Sequence, residues 1–420
     1  MRTRSNHTLR SNFIALSIVQ GTNFLLPLLV MPYVISRVGA AGFGVIAVAQ
    51  SAMIWLSAVA DYGFNLSATR DTAMNSENTQ KISAIFFTVL ATRLLICSFL
   101  LILLCMTFAF IPALTPYFTM YFLGFTYVIG QSLLAGWFFQ GKEKMHYITI
   151  STFIARLVFV GLVFLFIHQE KDGVYFLFFL GAGNIIAGLF SIFIAVRIFQ
   201  LQLIWPSWPG IVHELKEGWQ ITVSNLSIYT YLYSGIFILR IFTSDTIVGY
   251  YSIAERIFFA ARQVLSVFSQ VVYPRICQLS LLQKEKATGF FKTVYLPFLF
   301  MITGGCGLLF ILSPQIIHLF LHETPQIAVL LLRMLSFVPV IVCLNIPAYN
   351  LLLAFDRKKS YLLVLVLATI LNISANILLV RLLGAAGTAL SIIITELFIT
   401  TALNQQLYKN KLYGYILPGT

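Results

Sequence analysis

Stretches of about twenty consecutive, mostly apolar residues recur along this chain, and no other feature constrains its fold as tightly. They fall near 13–35, 43–61, 82–110, 117–139, 147–167, 174–196, 219–242, 247–273, 294–313, 326–354, 361–380 and 386–406. Lipid offers the backbone no hydrogen-bond partners, so each such stretch must satisfy its own N–H and C=O groups as a helix. The spacing therefore predicts an all-α integral membrane protein with twelve transmembrane helices and no extramembrane domain. Composition agrees: 59% of residues are hydrophobic and only 10% charged, where soluble domains carry roughly 25% charged residues.

The 27 Lys and Arg against 14 Asp and Glu give a net charge of +13. Distribution, rather than total, explains it. Twelve spans place both termini on one side, and the loops of that side hold eighteen basic residues, among them Arg2, Arg4, Arg10, Lys142, Lys144, Lys284, Lys286, Arg357, Lys358, Lys359 and Lys411. The opposite loops hold four: Arg37, Lys171, Arg240 and Arg381. Such a bias marks the basic side as cytoplasmic, with the charge facing anionic lipid head groups rather than nucleic acid. The first apolar run is too long for a signal-peptide core. The five cysteines are scattered and read as small membrane-buried hydrophobes.

The chain repeats itself at half length. Arg37-Val38-Gly39-Ala40-Ala41-Gly42-Phe43-Gly44 reads as a tight glycine turn between two helices, and Val248-Gly249-Tyr250-Tyr251-Ser252-Ile253-Ala254 echoes it. An offset of 205 sets Gly44 on Gly249, Gln50 on Glu255, Ser57 on Arg262 and Asp61 on Ser266. Trp205-Pro206-Ser207-Trp208-Pro209-Gly210 falls at the joint, as an interfacial linker between halves. The expected organisation is an N-terminal six-helix bundle over 1–204, a cytoplasmic linker over 205–218, and a C-terminal six-helix bundle over 219–420. Six helices per half relate the copies by a pseudo-twofold along the membrane normal.

Ionisable residues inside spans are the candidate functional groups, because a centred arginine costs roughly 2.5–3.5 kcal/mol to insert. Five occur: Arg93, Arg156, Arg256, Arg262 and Arg333, with Glu255 and Glu396 also near mid-span. Arg93 and Arg156 stand without polar company in the local sequence, where helix-gluing pairs and cavity roles fit equally. On the eighth span Glu255, Arg262, Ser266 and Ser269 share a stripe, and Arg256, Gln263 and Gln270 form the next one, at about 100° per residue. Gln50, Ser57 and Asp61 make a milder polar face on the second span. These faces fit a shared hydrated cleft, or else a dry interhelical ion-pair network. Guanidinium forks onto phosphate oxygens and keeps its charge when desolvated, so a cleft rich in arginine, with Arg333 as a neighbour, suits an anionic, phosphorylated cargo. The seventh span adds Thr222, Ser224, Asn225, Tyr229, Tyr231 and Tyr233, hydroxyls and rings suited to sugars.

The sequence has no Walker-type glycine loop, no H-E-x-x-H and no G-x-S-x-G. His318 and His322 lie one turn apart without a third ligand, and no metal or cofactor is expected.

The glycine hairpin at Val38–Gly44, the string Asp61-Tyr62-Gly63-Phe64-Asn65-Leu66-Ser67-Ala68-Thr69-Arg70, the repeat continuing into Glu255-Arg256, and the turn Leu383-Gly384-Ala385-Ala386-Gly387 together resemble bacterial O-antigen/polysaccharide flippases of the multidrug/oligosaccharidyl-lipid/polysaccharide exporter superfamily. The similarity runs the length of the chain. It implies two six-helix bundles around a central cavity that opens alternately to each side of the bacterial inner membrane. The implied cargo is an undecaprenyl-pyrophosphate-linked oligosaccharide, with polysaccharide polymerase and chain-length machinery as candidate further partners. On that reading Arg256, Arg262, Arg333, Arg93 and Arg156 meet the phosphates, and Glu255, Gln263, Gln270, Gln50, Ser57, Asn225 and Glu396 supply polar and coupling groups. Asp61, Gly63, Asn65 and Arg70 form a cytoplasmic gate. A polytopic enzyme of lipid-linked glycans and a drug exporter of the same superfamily are the alternatives; the first needs a catalytic cluster, the second a carboxylate-lined cavity.

Overall fold

The computed structural model describes residues 2–280, 288–355, 357–410 and 412–415. Lys284, Lys286 and Lys411, counted above among the basic loop residues, lie outside them, as does the side chain of Ser224. The chain folds as helices α1 (Arg2–Asp61), α2 (Phe64–Met74), α3 (Thr79–Phe110), α4 (Phe118–Leu133), α5 (Gly136–Gly141), α6 (His146–Phe166), α7 (Phe176–Ile198) and α8 (Trp208–Phe242). There follow α9 (Asp245–Ser280), α10 (Leu296–Ile311), α11 (Ser313–Leu321), α12 (Gln326–Ser336), α13 (Val338–Ala354), α14 (Lys358–Leu383) and α15 (Ala385–Lys409). Two compact units result, Met1–Tyr229 and Thr230–Thr420, and the division falls within α8.

Nine stretches among the described residues are long and apolar enough to cross a membrane. The expected spans 13–35 and 43–61 belong to the single element α1, and 219–242 and 247–273 lie in α8 and α9, which are not among the nine. The reason for the last two is chemical. Helix α9 carries Glu255, Arg256 and Arg262 within two turns, and α8 is diluted by its hydroxyls and amides. Helices that line polar space in a membrane are the ones a hydropathy criterion misses.

The glycine turn expected near residues 37–44 is a break within α1 at Gly39, where φ is 70° and ψ 170°. Gly384, at φ 57°, likewise separates α14 from α15. In the first unit α4 lies close against α7, because glycine removes the side chain between them: a Cβ on Gly130 would stand 2.7 Å from that of Asn184. Small residues are what allow helices to approach in a medium that supplies no hydrophobic drive. Phe64, Phe86, Trp137, Phe138 and Phe139 make the apolar core beside this contact. In the second unit Leu351, Leu352, Ala368, Leu403 and Leu407 do the same.

Candidate functional site

The elbow between α1 and α2 is built on Gly63, whose φ of 76° and ψ of 5° lie in the left-handed region. Most side chains disfavour that region through contact of Cβ with the backbone. The position is also crowded, since a Cβ there would meet Ile221 Cγ2 at 2.7 Å. Bending the chain at Gly63 aims Asp61 and Asn65, on either side of it, at one guanidinium. Arg93 on α3 donates from Nη2 to Asp61 Oδ1, and at 3.4 Å to Asn65 Oδ1. Its Nη1 donates at 3.3 Å to the carbonyl of Leu134.

That carbonyl is available because the helix stops there. Leu134 adopts an extended ψ of 119° between α4 and α5, which interrupts the hydrogen-bond ladder. Arg93 takes up the freed C=O, and the N–H of Ala135 donates to Ser191 Oγ at 3.1 Å. Broken helix is tolerated at membrane depth only where other groups re-satisfy the backbone, and here two side chains do so. Arg93 therefore has polar company after all. Its partners sit 28, 32 and 41 positions away on other elements, which is why the local sequence gave no sign of them.

These groups line a cavity of about 310 Å³. Ser57, Asp61 and Asn65 approach from α1 and α2, Arg93 from α3, Gln131 and Ser132 from α4, Ser151 and Thr152 from α6, and Asn225 and Tyr229 from α8. Ligand pockets of this size are usually lined mainly by apolar groups with a few polar ones; amides and hydroxyls dominate here. Tyr229 interacts electrostatically with Asp61 and with Tyr127, which in turn lies beside Arg156. Six residues that the sequence singles out (Ser57, Asp61, Asn65, Arg93, Asn225 and Tyr229) thus meet in one place. Arg70 goes elsewhere: half-exposed, it pairs with Asp71 at 2.8 Å and reaches toward Glu217 at 3.8 Å. Gln131, Ser151 and Thr152 were not foreseen, being ordinary hydroxyl and amide residues whose cavity position depends on how α4 and α6 pack.

The second unit holds a separate constellation. Arg262 Nη1 donates to Glu396 Oε1 at 2.9 Å, and the Tyr231 hydroxyl donates to the same oxygen. The guanidinium lies 5.9 Å from the centre of the Tyr231 ring. Glu396 is fully enclosed at 1% exposure, whereas 28% of the Arg262 side chain is accessible. Glu255 is buried, and Arg256 beside it on α9 is half-buried with electrostatic contacts to Glu255 and Tyr233. Gln270 donates to Ser266 at 3.3 Å, and Ser269 to Asn350 at 3.1 Å. Gln263 is half-buried, as is Gln50 in the first unit. Arg333, expected beside the α9 arginines, has its guanidinium over the Phe310 ring at 5.2 Å. No group of three or more His, Cys, Asp or Glu positioned for a metal occurs among the described residues.

Residues 9–280 match the family described as "Polysaccharide biosynthesis protein". The chain belongs to that family. Among curated relatives of this family member, a protein of Escherichia coli (strain K12) is 28% identical over 96% of this chain and 98% of its own length. One of Shigella dysenteriae is 27% identical over 93% and 98%. Both carry the name "Putative O-antigen transporter". Among solved structures, an inward-facing MATE family multidrug resistance transporter of the MOP superfamily aligns over 97% of this chain and 100% of its own, with a TM-score of 0.69 at 15% identity. The lipid II flippase MurJ, in an inward closed conformation, aligns over 96% and 88%, also at 0.69 and 15%. The fold of this polysaccharide biosynthesis protein is that of these transporters. Both curated relatives are named for transport and not for an enzymatic activity.

Proposed function

We propose that this protein translocates an undecaprenyl-pyrophosphate-linked oligosaccharide, an O-antigen or related repeat unit, from the cytoplasmic to the periplasmic leaflet of a bacterial inner membrane. It does so by alternating access of two six-helix halves comprising twelve spans, with both termini cytoplasmic. The observation that carries this reading is the near full-length match to the two O-antigen transporter relatives. The polar cavity and the intramembrane arginines supply the chemistry that such a cargo needs.

Within that function the arginines divide by accessibility. Arg93, 2% exposed, is spent on Asp61, while Arg262 keeps 28% of its side chain open despite Glu396. Arg262, with Arg256 on the same helix, is therefore the better placed to meet a phosphate, and its fork suits two oxygens where lysine offers a point charge. A pyrophosphate diester carries about two negative charges, and each is worth about 2.3 kcal/mol per 100 mV of membrane potential. Outward movement from a negative interior is electrically downhill.

Reporter fusions test the orientation. A periplasm-active reporter fused after Lys171 is active and one after Lys144 or Lys359 silent; activity at Lys144 overturns the topology. Purified protein in liposomes, offered a fluorescent undecaprenyl-pyrophosphate glycolipid and a cationic dye, moves the first and not the second. The opposite preference assigns it to drug export.

A further inference from the structure

We infer that the first-unit cavity, bordered by Asp61, Arg93, Gln131, Ser151, Asn225 and Tyr229, is a subsite for one uncharged sugar ring of the carried glycan. The inference rests on the transport reading above and sharpens it. Among the described residues, Asp61 and Arg93 are the only charged ones lining the cavity, and they are bound to each other. The cavity is therefore electrically neutral.

That neutrality excludes the other ligand classes. Arg93 aims Nη1 at Leu134 and Nη2 at Asp61 and Asn65, so a phosphate forking onto it must first displace these partners. Doing so strands a carboxylate away from its partner in a poorly solvated site, which is strongly unfavourable. A cation, for its part, finds the Asp61 carboxylate already neutralised by its pair with Arg93. A hydroxyl meets neither objection, because it both donates and accepts.

The groups left over match such a ligand. Arg93 Nε and Ser151 Oγ are buried without hydrogen-bond partners among the described residues, and both residues border the cavity. Buried polar atoms normally find partners, so two orphans on residues that border one cavity mark the wall against which a ligand acceptor or hydroxyl belongs. The 21% accessibility of Asp61 leaves its carboxylate open to accept from a sugar hydroxyl. Gln131 and Asn225 add amides, which both donate and accept, and Tyr229 adds an aromatic ring of the kind that suits the apolar side of a pyranose. A volume of about 310 Å³ lies at the low end of ligand pockets, which suits one ring and not a chain of several.

The test compares two fluorescent lipids in liposomes containing the full-length protein: undecaprenyl-pyrophosphate bearing a single hexose or acetamidohexose, and the same lipid without sugar. The wild type moves the sugar-bearing lipids faster. Ser151→Ala and Asn225→Ala each lower the ratio of sugar-bearing to sugar-free rate by about three- to ten-fold, the scale of one lost hydrogen bond. A merely structural defect slows both lipids and leaves the ratio alone. Equal wild-type rates for the two lipids, or an unchanged ratio in well-folded Ser151→Ala, overturns the subsite while leaving transport standing. Movement of neither lipid overturns both.

Discussion

Replacing Asp61 by Asn removes the countercharge of a guanidinium that is 2% exposed, while keeping size and hydrogen-bonding shape. Removing one partner of a buried ion pair costs about 3–5 kcal/mol, because the remaining charge has neither water nor a counterion. Replacing both members, as Asp61→Asn with Arg93→Gln, leaves no charge to strand. What remains is the loss of hydrogen bonds, including the one to the Leu134 carbonyl, at about 0.5–1.5 kcal/mol each. The double variant should therefore be more stable than the single Asp61→Asn variant, with the two changes coupled by about 2 kcal/mol or more. Thermal unfolding of the purified protein in detergent, followed by tryptophan fluorescence, reads this directly, since Trp137 is buried in the apolar core beside the pair. A double variant whose melting temperature falls by the sum of the two single effects refutes the reasoning, because independent contributions mean that the pair is not what holds Arg93 in place.

Three further outcomes follow from the same geometry. Gly63→Ala places a methyl in the left-handed region against Ile221, so the melting temperature falls; Ile221→Ala in the same chain restores part of the loss, and no recovery contradicts the clash. Glu214, in the segment that opens α8, has its carboxyl raised above the usual glutamate range, first by burial and then by the nearby Asp71. The folded protein thus holds the proton more tightly than the unfolded chain, and this contribution to stability is lost as pH rises from the ordinary carboxylate value through the raised one. Glu214→Gln consequently stabilises at pH 8 and not at pH 4; an equal effect at both removes the electrostatic explanation. In the second unit, Arg262→Lys retains the charge opposite Glu396 yet recovers transport only in part, and full activity of the lysine variant rules out a bidentate role.

Much of the fold was legible because lipid imposes long apolar helices, and the glycines at positions 39 and 384 announced turns that the backbone makes. Where the hydropathy signal weakened, at α8 and α9, the weakness came from the polar residues that the sequence had already marked. The site was less legible. Stripe arithmetic places residues on a face of one helix but does not say which other helix meets that face. Asp61 and Asn65 thus read as gate residues by their place near a helix end, whereas the bend at Gly63 brings both to Arg93. Likewise the ion-pair alternative for the α9 face named no partner for Arg262, and Glu396, 134 positions away, is that partner. Ser151 carried no signal, because a lone serine in an apolar helix acquires meaning only from the cavity it borders.

Under the proposed function an anionic glycolipid crosses the membrane on this protein. Its most direct test is the transbilayer movement of fluorescent undecaprenyl-pyrophosphate glycolipid in liposomes holding the purified wild type, under an imposed potential of either sign. Protein-dependent movement is expected, faster toward the positive side and slower when Arg262 is replaced by Ala. Movement no faster than in protein-free liposomes, at either sign of the potential, contradicts it.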